Sequence, residues 1–557
     1  MYSSESLRLP SMGKNPSRRE NRAEQNMFSP LTTGVLLLII LLTVVVRWGL
    51  IDVPLERDEG EYAYAGQLIL QGIPPYQQMY NMKLPGIYAA YACILAILGQ
   101  THQAIHLGLL VINAATILLV FVLAQRLYGA MVGLVAAAFF AVMSLLPSVQ
   151  GVFANSEHFV ILPALGGLFF LLRALEEKRQ GMLFVSGLLL GLSFLMKQHG
   201  AAFILFGGIY ILYDQFWRRP VGWQTVLCRV GLFSLGATAP YGLTCMIFAY
   251  SGAFDKFWFW TFEYARTYTS QVPIRAGWPL FKAQSLEIIK SAPLIWLLVF
   301  IGLIAIGVDQ RSRRKSAFAG MLMAFSLLAI CPGFYFRPHY FILLLPASAI
   351  LAGVSLGVVQ ERILKRRSLV IKYGCPLFLT GICVFASIYQ HRNILFEMTS
   401  HQVARAVYGL NPFPEAIEVS RFVRSATEEG DRIAVLGSEP QIYFYSRRRS
   451  ASGYIYMYAL MEGHRHALKM QREMVAQIES ARPKLLIIVN VPTSWLKTRD
   501  SHPLLMTWLQ SYQAKYYTLV GLVDIDQQNS VYHWAPDVNW PPGSPAWVAV
   551  LKRKNGL

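Results

Sequence analysis

The chain is built around apolar runs close to the length of a bilayer crossing, at residues 31–50, 104–125, 129–147, 159–172, 182–195, 200–213, 227–250, 288–308, 317–331, 340–358 and 369–389. A helix needs about 20 apolar residues to cross hydrocarbon roughly 30 Å thick, so these runs predict about eleven spans, several of them short. The rest of the composition agrees: 54% of residues are hydrophobic, only 15% are charged, and the mean hydropathy is +0.40. No soluble domain of 557 residues needs so many apolar segments. The chain reads as an integral membrane protein.

Its formal charge of +19 does not point to nucleic acid, because the basic residues lie mostly in short clusters between apolar runs, where they set orientation. One run, residues 84–98, opens with Pro85 and Gly86 and is too short for a comfortable span; it suits an interfacial or re-entrant helix. If it does not cross, the clusters Arg8/Lys14/Arg18/Arg19/Arg22, Arg126, Arg173/Lys178/Arg179, Arg218/Arg219/Arg229, Arg311/Arg313/Arg314/Lys315 and Arg362/Lys365/Arg366/Arg367 all fall on one face, the cytoplasm. Residues 51–103, 150–158, 251–287 and 333–339 then face outward, with Lys197 at the outer end of its helix.

Residues 1–30 are expected to be a cytoplasmic N-terminal segment, 31–389 the membrane domain and 390–557 an extracytoplasmic α/β domain entered through a polar linker. In that tail "RIAVLG", "KLLIIVN" and "YYTLVGLVDI" read as strands, and "PQIYFYSRR" and "HALKMQREMVAQIES" as helices. Its length allows an independent core. The six cysteines all precede residue 384, so the tail carries neither a disulfide framework nor a thiolate zinc site. It also lacks any N-x-Ser/Thr sequon with an allowed middle residue, which fits a bacterial plasma membrane.

Directly after the first run, "RDEGEYAYAGQLILQG" places Asp58, Glu59 and Glu61 within four positions. Asp58 followed three residues later by Glu61, with Gly72 as a stop, resembles a capping box that opens a short helix on the membrane surface. Capping leaves Glu59 unexplained. The other outward segments contribute Lys83, Glu157, Lys197, Gln198, His199, Arg337, His339 and Tyr340. Singly, such residues snorkel or pack at helix ends; together they collect acids and bases on one face.

In order, "RDEGEYAYAGQLILQG", "MKLPGIYAAY", "ANSEHFVILP", "MKQHGAAFIL" and "RPHYFILLLPASAILAG" resemble segments of the bacterial lipid A aminoarabinose transferase and protein O-mannosyltransferase superfamily, the glycosyltransferase family 39 and 83 type with the GT-C fold. The resemblance spans roughly residues 31–358. It implies an all-α polytopic membrane protein of GT-C type, with about 11 transmembrane helices, juxtamembrane helices and a soluble C-terminal α/β domain. It also implies an inverting enzyme that moves a sugar from a polyprenyl-phosphate donor to an acceptor hydroxyl or phosphate, on a lipid, lipopolysaccharide or protein, at the outer face of the plasma membrane. By motif position Asp58 becomes the base, with Glu59 and Glu157 as second acids; Lys83 and Arg337 become phosphate ligands, and Lys197, His339 and Tyr340 join the substrate site. Such chemistry wants a carboxylate for the acceptor hydroxyl and cations for the departing phosphate. The chain departs from the family in reading Lys83-Leu84-Pro85 where Lys-Pro-Pro is common, and in carrying Glu157 where Asp is common.

The expected partners are thus the lipid-linked donor, a lipid, glycan or protein acceptor, and membrane lipids, with no nucleic acid. No cofactor is required on this reading, although Asp58 and Glu59 together offer oxygens to Mg²⁺ or Mn²⁺. A lipid-linked sugar flippase and a non-catalytic sensor or assembly subunit are the alternatives. The aromatic stretch "FDKFWFWTFEYARTYTS", residues 254–270, reads either as an interfacial belt or as a lid over the donor pocket.

Overall fold

A computed structural model describes residues 29–218, 222–308, 313–538 and 540–555. The expected cytoplasmic segment before residue 29, with its basic cluster, lies outside the described residues, as do Arg219 and Arg311.

All eleven apolar runs lie on helices. Among the described residues six helices are long and apolar enough to cross a membrane by themselves: Pro30–Trp48, His102–Tyr128, Ser156–Glu177, Trp223–Tyr250, Pro338–Ile363 and Leu369–Gln390. The run at residues 288–308 is not one straight span. Ile274–Ser291 and Pro293–Val308 meet at 109°, because Pro293 cannot continue the preceding helix and Ala292 leaves the helical region at ψ 62°. The shorter apolar helix Ala130–Met143 buries nearly its whole surface among neighbours.

The segment between the first two long spans enters and leaves on one side. His106 Nδ1 lies 2.9 Å from the Ile51 carbonyl oxygen, and Gln103 Nε2 donates to Asp52 Oδ1 at 3.0 Å. The first span therefore ends where the second begins. In between, Arg57–Leu70 and Pro85–Leu98 form two 14-residue helices, each about 21 Å long at 1.5 Å per residue and too short to cross. Gly86 lets the second lie against the Leu195 backbone, where a Cβ would come within 2.5 Å. At the opposite end of the bundle, Arg126 and Arg314 both bind Glu176, at 2.7 and 3.1 Å.

The tail folds into a six-stranded mixed sheet of order β2-β1-β3-β6-β4-β5. The three expected strands are β1 (Arg432–Leu436), β3 (Leu485–Asn490) and β4 (Tyr517–Asp524). The two-residue β2 (Arg449–Ser450) extends the parallel edge, and β5 (Val531–Trp534) and β6 (Trp547–Arg553) complete the antiparallel half. Both expected helices are present, as Gln441–Ser446 and Ala467–Ala481.

Two features of the tail go beyond the sequence reading. Within the polar linker, Ser400–Tyr408 is a helix opened by a Thr399/Gln402 capping box, and its Val403 and Ala404 pack with Val53 and Phe153. The tail's core also continues into the juxtamembrane helices. Tyr62, Tyr64 and Tyr88 of the juxtamembrane helices share one buried cluster with Ile442, Tyr443 and Leu486 of the tail. The tail lies directly on Arg57–Leu70, with Tyr64 stacked on Tyr443 at 5.1 Å and the Tyr64 hydroxyl accepting from Ser450 N at 2.9 Å.

Candidate active site

The capping box begins two residues earlier than the sequence suggests. Glu56 is the N-cap of Arg57–Leu70, and Glu59, three positions on, completes the capping box: each carboxylate accepts from the other's backbone N–H at 3.0 Å. Glu59 also accepts from Ala154 N at 2.5 Å and lies 3.1 Å from His106 Nε2. It is fully buried and fastens three segments together. It does not reach the cavity described below. Asp58 and Glu59 serve different partners, and among the described residues no three His, Cys, Asp or Glu side chains gather around a possible metal position.

Relieved of the capping role, Asp58 reaches Lys83. Lys83 Nζ lies 2.7 Å from Asp58 Oδ1 and 3.5 Å from Glu61 Oε2, and donates to the Tyr62 hydroxyl at 3.0 Å. Burial alone would raise the Asp58 carboxyl, but the charge and hydrogen bond of Lys83, together with His339 and Lys197, outweigh it and hold the group well below the usual carboxylate range. Burial likewise opposes the Lys83 charge, and Asp58 and Glu61 overcome it, keeping the ammonium above its ordinary value. Glu61 behaves differently: burial wins against Lys83 and pushes its carboxyl up to about 7. It accepts from Asn81 Nδ2 at 2.8 Å and from the Tyr88 hydroxyl at 2.5 Å.

Lys197 caps the end of Gly181–Met196, binds Glu157 Oε1 at 2.5 Å and lies over the Tyr340 ring at 4.5 Å. Burial lowers its pKa in spite of Glu157. Glu157 has no exposed surface and stands behind Lys197. Gln198 Nε2 donates to the Met82 carbonyl at 2.8 Å, fixing the loop that carries Lys83. His339 Nδ1 lies 3.0 Å from Gln150 Oε1. Arg337 forms no ion pair among the described residues; its guanidinium lies over Tyr335 at 5.5 Å.

Asp58, Lys83, Lys197, Arg337, His339 and Tyr340 share the wall of one cavity of about 150 Å³. Six of the eight residues expected at the site thus come together, from segments that span some 280 positions of the sequence. Glu59 and Glu157 are the two that do not.

Two further walls complete the cavity. One comes from residues 254–270, the stretch read from the sequence as either an interfacial belt or a lid, where Trp260, Tyr264 and Tyr268 recur every fourth residue through a π-helical turn and face the cavity. The other comes from the tail: Tyr454, Tyr456 and Tyr458 line the space, with the Tyr456 hydroxyl donating to Asp58 Oδ1 at 2.8 Å. The alternation in "GYIYMYA" hinted at a shared face, but nothing local placed that face over residue 58. The tail is pinned there by Arg57, which meets Glu439 Oε1 at 2.6 Å and donates to the Ser438 carbonyl and, at 2.7 Å, to the Tyr458 hydroxyl.

Residues 83–243 match the sequence model of a family described as dolichyl-phosphate-mannose-protein mannosyltransferase. Among solved structures, ArnT from Cupriavidus metallidurans bound to undecaprenyl phosphate is similar with a TM-score of 0.56 at 16% identity, covering 93% of this chain and 98% of that one. The oligosaccharyltransferase AglB from Archaeoglobus fulgidus, in complex with an inhibitory peptide and a dolichol-phosphate, is similar with a TM-score of 0.54 at 12% identity, covering 91% and 75%. The chain has the GT-C fold. No curated protein sequence matches it. In this GT-C chain the matched segment runs from Lys83 through Glu157 and Lys197, so it holds part of the cavity wall but neither Asp58, Arg337 nor the tail.

Proposed function

We propose that the protein is an inverting membrane glycosyltransferase that moves one sugar from a polyprenyl-phosphate carrier to an acceptor hydroxyl on a lipid, glycan or protein at the outer face of the plasma membrane. The observation that carries this reading is the pairing, in one small cavity, of a carboxylate held ionised and a cation without a carboxylate partner: Asp58 and Arg337. The basic residues at the other end of the bundle, Arg126, Arg173 and Arg314, support an outward-facing cavity. Similar folds bound to undecaprenyl phosphate and dolichol-phosphate support a lipid-phosphate donor. At about 150 Å³ the space is smaller than the ~300–1,000 Å³ of common ligand pockets, which favours a single sugar ring over an oligosaccharide.

In the reaction, the acceptor oxygen attacks the anomeric carbon as the bond to the phosphate oxygen breaks, and its electron pair leaves with the polyprenyl phosphate. The acceptor proton passes to Asp58. Arg337 offers a bidentate fork to the phosphate and Lys83 a point charge, both strengthening as the leaving group gains its second negative charge. Lys83 has a dual part. Once it turns toward the phosphate, the restraint that depresses the Asp58 carboxyl weakens and the group becomes a better base. The site's own cations supply the charge this step needs.

The test is transfer by the purified protein from polyprenyl-phosphate monosaccharides, read as free polyprenyl phosphate released. Asp58→Asn should lower turnover by at least ~100-fold while polyprenyl phosphate still binds. Undiminished turnover would remove Asp58 from the reaction. Movement of the donor across vesicles with its phosphate link intact, and no transfer, would make the protein a flippase instead.

A further inference from the structure

Lys83 Nζ and the Tyr456 hydroxyl both engage the same oxygen of Asp58, Oδ1, at 2.7 and 2.8 Å. Among the described residues, Oδ2 accepts no hydrogen bond and is not a sealed, unpartnered atom. We propose that Tyr456 is a positioning residue: it holds Oδ1 from the tail side, so that Oδ2 is the atom turned toward the acceptor and the one that takes its proton. The inference rests on Asp58 being the base.

The need for such a residue follows from the torsion. The last side-chain torsion of Asp is broad and nearly two-fold, so a single contact does not decide which oxygen faces a ligand. Lys83 alone cannot hold the choice, because it shares itself with Glu61 at 3.5 Å and turns to the phosphate when the donor arrives. Tyr456 has no competing task. Its ring is 8% exposed and meets Tyr458 at 5.4 Å. The next residue is fixed through Met457 N donating to Ser438 Oγ at 2.9 Å. The strip is clamped to the membrane domain where Tyr80 N donates to the Gly453 carbonyl at 2.7 Å; any side chain at position 453 would enter the Tyr80 ring, which comes within 2.3 Å of the Cβ position. Burial, and then the Asp58 and Glu61 charges, push the Tyr456 phenol well above its ordinary range, so it stays a hydrogen-bond donor at neutral pH. The base is therefore complete only when the tail is docked.

Tyr456→Phe keeps the ring and removes the donor. In the full-length protein it should lower kcat by about 10- to 100-fold, with KM for donor and acceptor each within about three-fold of wild type. Because the lost hydrogen bond favoured the ionised carboxylate, the acid limb of the kcat profile should move up by about one pH unit. A residue that only filled space would move neither the limb nor the kcat-against-KM split. Wild-type kcat with an unshifted limb in Tyr456→Phe, alongside an inactive Asp58→Asn, would overturn this inference and leave the proposed function standing. Turnover retained in Asp58→Asn would bring down both.

Discussion

Gly60 is where a single methyl group should separate the membrane domain from its tail. An added Cβ would lie 2.6 Å from Gln441 N and Cβ and 2.8 Å from Gln441 Cα, the first residue of the tail helix Gln441–Ser446. Ordinary contact begins near 3.4 Å. Two of these three atoms are backbone, so no rotamer change relieves the overlap and the tail must rise by about 0.8 Å locally. Overpacking of this kind costs about 1–3 kcal/mol. The tail has no easy escape, since lifting it farther would break the buried Arg57–Glu439 pair at 2.6 Å, worth about 3–5 kcal/mol when one partner is lost. Gly60→Ala should therefore stay folded but strained, with Tyr456 drawn back from Asp58. A misplacement near 1 Å costs about 100-fold in rate, so kcat for sugar transfer should fall on the order of 10- to 100-fold. Lys83 and Arg337 lie on the membrane side, and the Kd for polyprenyl phosphate should change by less than about three-fold. Turnover by the detergent-purified variant, with lipid-phosphate binding on the same preparation, measures both. Wild-type kcat in Gly60→Ala would refute the claim that tail placement governs the site.

Arg337→Ala should weaken polyprenyl phosphate binding by about 10- to 100-fold, the worth of one charge-assisted contact, and flatten its salt dependence while leaving acceptor KM unchanged; titration at two ionic strengths reads both effects. Glu462 accepts from the Tyr264 hydroxyl at 2.7 Å, and burial raises its carboxyl to about 7. A carboxyl raised on folding binds more protons in the native state than in the unfolded one between its ordinary value and about 7. Stability should therefore fall as pH rises through that window. Glu462→Gln should flatten this part of the slope in Tm measured from pH 4 to 8, and an unchanged slope would count against it.

Much of the molecule was legible before any coordinates. The spans follow from apolar length, the non-crossing helix at Pro85–Leu98 from its shortness and the charge parity, and three of the four inner strands from runs of aliphatic residues. These are local properties of a helix in lipid or a strand in a core. The convergence of Asp58, Lys83, Lys197 and Arg337 could be suspected because topology puts all four at the same end of the bundle. What a pattern could not say was which acid does what: Asp58 and Glu59 are adjacent, yet a helical step of 100° sends one to the cavity and the other to Ala154 and His106.

The sequence by itself settled that this chain crosses a membrane many times, presents acids and bases at one end and ends in an α/β domain, because each of those follows from composition and spacing over a few residues. Only the tertiary structure decided that Glu56, not Asp58, caps the helix, that Glu157 stands behind Lys197 instead of facing the cavity, and that Tyr456 bonds Asp58 from 398 positions away. Contacts across such separations depend on how two domains bury a common core, and no local propensity records that.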